Sequence, residues 1–229
     1  MDLKTQSQRL EWVAFMLPHE LVHTLGRFGR VDVLRQKDQL DPLSLAHIQK
    51  IESDVKKPMV PLGIWGDGVP CNWDRSASID CVSLNMPGLG GKWKNLRLPV
   101  TCLNHKQVIY ETWIDIMTVI TWSLTWAGMG VHPIARHDDT PFLPSDHKRL
   151  KAAGSPMISS AALVEVRGDW KFMGEVFSFP KHNTAAGLCW NCRCTPDDVI
   201  ISMAATSYLG GAAECYGSGK FPLITMRFN

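Results

Sequence analysis

Two aspartates follow buried-strand patterns at distant points of the chain. Residues 60–67 read VPLGIWGD and residues 161–169 read AALVEVRGD, so each apolar run ends in a Gly-Asp pair. A short apolar run bounded by glycine is typical of a buried strand. Asp67 and Asp169 are therefore each predicted at the tip of a strand, where carboxylates can serve metal-dependent phosphoryl transfer.

The two carboxylates would need a shared cation if the strands place them side by side. Carboxylates a few Å apart repel each other unless a cation neutralises them, and hard oxygen ligands suit Mg²⁺ or Mn²⁺. The alternative is that each Gly-Asp pair opens an ordinary surface turn, which is the commoner role of this dipeptide. The pattern alone leaves both interpretations open.

A second candidate metal site is the cysteine knuckle CWNCRC, formed by Cys189, Cys192 and Cys194. Thiolates at this spacing can hold a tetrahedral Zn²⁺, with His182 as a fourth ligand. Other candidates for the fourth ligand are Cys71, Cys81 and Cys215. The alternative is a set of buried thiols without metal, because the second half of a four-cysteine zinc motif is missing.

A third candidate site is the His-Glu-x-x-His motif formed by His19, Glu20 and His23. On a helix the two histidines share one face and can bind zinc, with the glutamate as general base of a metalloprotease. Pro18 disrupts a helix upstream of the motif, and the third ligand position of one protease class is occupied by Gly29. The motif is therefore kept as an alternative function.

A modest basic cluster consists of Lys92, Lys94 and Arg97, and it is predicted to contact a DNA backbone. Trp65, which precedes the first aspartate, can offer a stacking surface for bases. More often such basic clusters are solvated surface. A non-catalytic nucleic-acid-binding or interaction module is thus a third functional class.

The composition limits these choices only weakly. The chain has 229 residues, 45% of them hydrophobic, and a net charge of +2, which is enough for one core but demands no nucleic-acid partner. Residues 1–11 are polar and lack a secretory signal pattern, and seven cysteines suit a reducing compartment. We expect an intracellular protein without a membrane partner, since the apolar segment 108–129 contains Glu111 and Asp115 and is predicted to be a buried helix. The oligomeric state stays open.

Hydrophobic periodicity predicts a β-β-β-α-β order after a helical start. Apolar spacing changes from helical to strand-like near residue 59. The predicted helices cover residues 8–25, 43–51 and 108–129, and the predicted strands cover residues 59–65, 77–84, 96–103 and 161–166. If the last strand pairs in parallel beside the first, both aspartates reach the same edge of one sheet.

Two stretches resemble the catalytic core of CACTA-type and Plavaka-like DNA transposases and of the transposase-derived proteins abundant in algal and dinoflagellate genomes. They are PLGIWGDGVPCNWDRSASIDCVSLNMPG and AALVEVRGDWKFMGEVFSFPKHNTAAGLCWNCRC. The resemblance implies an RNase H-like DDE enzyme in which Asp67 is the first acid, followed by Asn85-Met86-Pro87. It also implies that Asp169 is the second acid, ahead of a glycine-containing loop and a Cys-x-x-Cys pair, Cys189 and Cys192.

The third acid of such enzymes has no assignment in this sequence. Glu175, Asp197, Asp198 and Glu214 are available, but none sits in a pattern of that family. The expectation is therefore a fragment or a decayed, domesticated copy, in which catalytic activity is an open question.

The expected architecture is α/β with three parts. Residues 1–57 form a helical lead-in, residues 58–180 an RNase H-like core with a mixed sheet, and residues 181–229 the cysteine knuckle and a C-terminal helix, truncated in this chain. The implied function is divalent-metal-dependent phosphoryl transfer on DNA, with Mg²⁺ or Mn²⁺ as cofactor. A transposase-like protein is expected in the nucleus.

Overall fold

The protein is a mixed α/β structure built on one four-stranded sheet. A computed structural model describes residues 13–74, 76–90 and 96–178. The strands are β1 Met59–Pro70, β2 Ser78–Asn85, β3 Leu98–Asn104 and β4 Ser160–Gly168. Their order in the sheet is β3-β2-β1-β4, with β2 antiparallel to both β1 and β3 and with β4 parallel to β1.

Six α-helices surround the sheet within the described residues. They are α1 Pro18–Leu25, α2 Val31–Leu34, α3 Pro42–Val55, α4 Tyr110–Met129, α5 His147–Ala152 and α6 Trp170–Phe177. A kinked segment, Gly26–Arg30, in which Phe28 and Gly29 leave the helical conformation, joins α1 to α2. A single 3₁₀ turn, His105–Gln107, precedes α4. None of the described helices, the 20-residue α4 included, combines the length and the apolarity that crossing a membrane requires.

Local sequence signals explain where the helices begin and end. The Asp41 side chain accepts hydrogen bonds from the backbone N–H groups of Leu43 and Ser44, while Pro42 occupies the first turn of α3. That helix ends at Lys56, which takes the left-handed conformation at φ 54°. Pro18 likewise starts α1, so the predicted helix over residues 8–25 forms only in its second half among the described residues.

The first strand is longer than predicted. Its parallel pairing with β4 ends at Gly66, but its antiparallel pairing with β2 continues to Pro70. The prediction that Asp67 forms the tip of the strand is therefore wrong, because three more residues of β1 follow it. Asp67 is instead the first residue after the parallel pairing stops.

The core fills both faces of the sheet. Ile64, Val82 and Val166 pack with Trp113 and Ile120 of α4 in one cluster. On the other face, a smaller cluster forms around α3 and contains Ile48, Met59, Ala162 and Val164. Each such fully buried aliphatic side chain contributes roughly 1.5–3 kcal/mol. The N-terminal helices thus pack against the sheet, with α1 lying against α4.

A buried polar group lies where β1 and β4 shift register. The shift falls between Leu62 and Gly63, and a Cβ at Gly63 would collide with Asn85 and Glu165. Glu165 is only 1% exposed. Its carboxylate accepts a 2.6 Å hydrogen bond from the Asn85 amide and forms a 2.7 Å ion pair with Arg167. Glycine at position 63 therefore makes room for a buried charge in the sheet.

Candidate active-site cleft

The parallel pairing of β1 and β4 brings the two predicted aspartates to the same level of the sheet. Gly66 pairs with Gly168, and the backbone N–H of Asp169 donates to the Gly66 carbonyl at 3.3 Å. Asp67 follows Gly66 and Asp169 follows Gly168, so the two aspartates are neighbours at the point where the two strands part. Both residues line one cleft.

The cleft lies between this end of the sheet and helices α4 and α6. Its lining combines four acidic residues, one lysine, one glycine and two aromatic rings: Asp67, Gly68, Asp80, Trp113, Asp169, Lys171, Phe172 and Glu175. The rings of Trp113 and Phe172 meet edge to face, with centroids 5.7 Å apart, and form its apolar wall. Of the acidic residues, Asp80 belongs to β2 and Glu175 to α6.

Asp169 has a structural role in addition to its place in the cleft. Its Oδ1 accepts a 2.6 Å hydrogen bond from the Phe172 N–H, so it caps helix α6. The resemblance implied a glycine-containing loop between this residue and Cys189; of that stretch, the described part forms helix α6 up to Phe177. The signal was an aspartate followed by apolar residues at helical spacing, among them Phe172, Met173 and Val176.

The ring of Phe172 holds α6 against the strands. It lies directly over Gly66 and Gly168, where a Cβ on either residue would overlap the ring. The two glycines of the Gly-Asp pairs therefore allow close packing of the helix that carries Lys171 and Glu175. The lack of a Cβ at these two positions is what permits the close approach.

Asp80 is the most buried acid of the cleft, with 5% exposure. Its Oδ2 lies 2.7 Å from Nδ1 of His105, and its Oδ1 lies 3.8 Å from Nζ of Lys171. The same lysine nitrogen lies 3.2 Å from both ring nitrogens of His105. A cationic lysine and a histidine thus balance this carboxylate, which sequence reasoning missed because Asp80 sits in mid-strand.

The side chain of Asp67 follows the alternation of β1. Gly66 and Gly68 are directed towards Phe172 and Asp80, so Asp67 belongs by alternation to the opposite face, with its register partner Cys81. In keeping with this, Asp67 is among the charges that act on the Cys81 thiol. Asp67 therefore lines the cleft, while its place in the strand alternation puts it on the sheet face of Cys81.

The comparisons with known proteins assign no function to this site. Comparison with protein families, with curated proteins and with solved structures gives no match. Across residues 13–74, 76–90 and 96–178, no group of three or more His, Cys, Asp or Glu side chains is positioned to hold a metal ion. The carboxylates that line the cleft are hard oxygen ligands of the kind that Mg²⁺ prefers.

The His-Glu-x-x-His motif lies on α1, but its side chains are engaged elsewhere. His19 is 2% exposed, and its Nδ1 shares a 2.7 Å hydrogen bond with Ser123 Oγ of α4. Glu20 accepts two hydrogen bonds from the guanidinium of Arg149, at 2.7 and 3.3 Å. A metalloprotease needs an accessible pair of histidines and a free glutamate, so this arrangement gives the protease alternative no support.

The second histidine of the motif contacts a third. Nδ1 of His23 lies 3.3 Å from Nε2 of His132, and burial is the main cause that lowers the pKa of both rings. Burial is also the main cause that lowers the pKa of His19 to about 4. The lowered pKa values favour the uncharged rings, and of the three only His19 is fully buried, at the contact between α1 and α4.

Arg97 is the residue of the predicted basic cluster that the structure describes. Its guanidinium stacks over the ring of Trp65, 4.3 Å from the centroid. Burial and the neighbouring Arg167 lower the pKa of Arg97, while Glu165 acts in the opposite direction. Trp65 and Arg167 are register partners, so two arginines and a tryptophan share one sheet face, two residues before Asp67 and Asp169.

Several predicted site residues lie outside the described part of the chain. These are Lys92, Lys94, His182, Cys189, Cys192 and Cys194. Of the alternative zinc ligands, Cys71 is an exposed free thiol and Cys81 faces Cys102 across the sheet. The zinc knuckle and the lysine contacts to DNA stay predictions.

Proposed function

We propose that the protein is an RNase H-like, transposase-related protein whose cleft carries out divalent-metal-dependent phosphoryl transfer on DNA. The observation that carries this proposal is the convergence of Asp67 and Asp169, far apart in the chain, at the point where parallel strands β1 and β4 part. The strand order β3-β2-β1-β4 with a helix before β4 supports an RNase H-like core.

The acids of the cleft have distinct proposed roles. Asp67 and Asp169 are the metal-binding carboxylates, and Mg²⁺ or Mn²⁺ bound there would activate a water or hydroxyl for in-line attack on a phosphodiester. Asp80 and Glu175 line the same cleft and are the described candidates for the missing third acid. Lys171 lies beside Asp80 and offsets part of the negative charge of the cleft.

The test is a thermal unfolding titration with Mg²⁺ and Mn²⁺. At a hundredfold excess over Kd, binding to the native state should raise the midpoint of the wild type by about 5 °C. An Asp67→Asn, Asp169→Asn double variant should lose this rise, and its asparagine at position 169 can still cap α6. The matched control is Asp115→Asn, an exposed carboxylate on α4.

Two outcomes would count against the proposal. Equal metal-dependent shifts in the wild type and in the double variant would remove the aspartate pair as a metal site. A lost shift in Asp115→Asn would show that the measurement reports general surface charge. Cleavage of single-stranded and duplex DNA by the same set of proteins then tests the chemical step.

Arg97 is proposed to contact the backbone of the DNA strand. Its guanidinium stacks on Trp65, which precedes Asp67 by two residues on β1. Two strand residues correspond to about 7 Å between this stack and the aspartates of the cleft. Stacking orders the guanidinium before binding, so less side-chain entropy is lost when it meets a phosphate. The neighbouring Arg167 adds a second positive charge.

An Arg97→Ala variant should bind a single-stranded oligonucleotide more weakly and with a shallower salt dependence. The slope of log K against log salt should fall by about 1 when one phosphate contact is lost. Fluorescence anisotropy at four salt concentrations, with the metal chelated, measures this separately from cleavage. Arg27→Ala, at an exposed arginine, is the control. An unchanged slope in Arg97→Ala would reject the contact.

A further inference from the structure

Two cysteines face each other across neighbouring strands. Cys81 of β2 and Cys102 of β3 are register partners in the antiparallel pair. The Cys81 Sγ donates towards the Cys102 Sγ at 2.9 Å, and both thiols are free. Neither residue belongs to the cysteine knuckle, and neither has a part in the proposed phosphoryl transfer.

The backbone already meets the needs of a disulfide at this position. Directly opposed residues in an antiparallel pair have Cα atoms about 4.5 or 5.5 Å apart, and disulfides occur at Cα separations of about 4.4–6.8 Å. The two sulfurs need to approach by less than about 1 Å to reach the bonded length. Strand movement is therefore not required for the bond to form.

The two sulfurs differ in access. Cys102 is exposed, whereas Cys81 is partly covered. The partial burial of Cys81 and its contact with Cys102 shield its sulfur, so a reagent in solution meets the sulfur of Cys102 first.

We propose that Cys81 and Cys102 form a thiol-oxidation site that closes a cross-strand disulfide when it meets a low-molecular-weight disulfide such as oxidised glutathione. The sulfur of Cys102 attacks oxidised glutathione, which breaks its S–S bond and releases one glutathione. The sulfur of Cys81 then displaces the second glutathione from Cys102. In sum, two thiols and one oxidised glutathione give one protein disulfide and two reduced glutathiones.

The disulfide would lie next to the cleft. Cys81 is the register partner of Asp67 and follows Asp80 in the chain, so the link would join β2 to β3 beside two acids of the cleft. This inference does not rest on the proposed function, since it concerns only the strands and their sulfurs. It holds or fails whatever the cleft binds.

The test is peptide mapping by mass spectrometry after treatment of the full chain with oxidised glutathione. The wild type should yield a Cys81–Cys102 linked peptide, and a Cys81→Ser variant should instead accumulate a glutathione adduct on Cys102. Cys71 is the internal control, because it is exposed and its Sγ contacts the Val69 carbonyl at 3.8 Å. It should carry a glutathione adduct in both proteins.

The rate of Cys81–Cys102 disulfide formation in the unfolded protein serves as the reference. The two cysteines are separated by 21 positions, so in guanidinium they meet only by chance. Linking should be at least about tenfold faster in the folded protein because the sulfurs are already in place. A persistent adduct on Cys102 of the wild type, or equal linking rates in folded and unfolded protein, would overturn the proposal.

Thermal unfolding of the linked protein gives a second readout. Closing this loop at its existing register should raise the midpoint by on the order of 5–10 °C. A lowered midpoint would mean that the strands must distort to accept the bond. That result would also overturn the proposal.

Discussion

Replacing Glu165 with leucine is expected to destabilise the protein by about 3 kcal/mol. The carboxylate is buried in the middle of β4, where it receives the Asn85 amide and the Arg167 guanidinium. Without it, the buried Asn85 amide and the partly exposed Arg167 guanidinium lose their partner, and the amide has no access to water. Arg167 is 40% exposed, so its guanidinium can turn towards water. The expected loss of unfolding free energy is therefore at the lower end of the range for a broken buried ion pair.

A double variant separates the two parts of this cost. Glu165→Leu combined with Arg167→Met removes both charges and should recover part of the lost stability, because an apolar pair leaves no unpaired charge. Guanidinium unfolding at pH 7 measures both proteins against the wild type. A single variant within about 1 kcal/mol of the wild type, the usual error of such comparisons, would show that the Glu165 network contributes little.

Acidification is expected to destabilise the wild type by about 3 kcal/mol between pH 7 and pH 4 through His19 alone. Burial lowers the pKa of His19 to about 4, from 6.5 in the unfolded chain, and the neighbouring His132, Arg149 and His23 act in the same direction while Glu20 opposes them. Between these two values the unfolded chain binds a proton that the folded protein does not. The contribution of His19 to the free energy of unfolding is therefore fully present above pH 6.5, and it is lost as the pH falls to about 4.

The variant that tests this origin is His19→Gln, which removes the titrating ring and keeps a polar side chain near Ser123. Its unfolding free energy should depend less on pH across this window than that of the wild type. His23 and His132, whose pKa values are also lowered, will leave a residual slope. The same substitution at exposed His147 is the control and should leave the wild-type pH dependence in place. Equal slopes in all three proteins would assign the acid sensitivity to other groups.

The strands and the long helix were predictable because their patterns are regular. Residues 161–166 are apolar except for Glu165, and the stripe on α4 repeats at helical spacing, so burial decides both. The end of β1 was not predictable in the same way. Residues 66–70 read GDGVP, which looks like a turn, but pairing with β2 holds this segment in the sheet.

The sequence predicted where in the sheet the candidate site lies, but it did not predict all of the residues that form it. Two strand-linked aspartates and an assumed parallel pairing were enough to bring Asp67 and Asp169 together. The sequence could not reveal Asp80, since its neighbours His105 and Lys171 come from a 3₁₀ turn and a helix that only the fold brings close. It also could not reveal that His19 would be buried against Ser123, because that contact joins residues 104 positions apart.

The early end of the β1–β4 pairing has a consequence for how the protein opens. Up to Gly66, strand β1 is bonded on both sides, but from Asp67 to Pro70 its bonds run to β2 alone. Fewer bonds and less burial make local opening cheaper than global unfolding, so amide hydrogens here should exchange with solvent sooner than those of residues 60–66. The corner that carries Asp67 can thus adjust to a ligand while the central sheet stays closed.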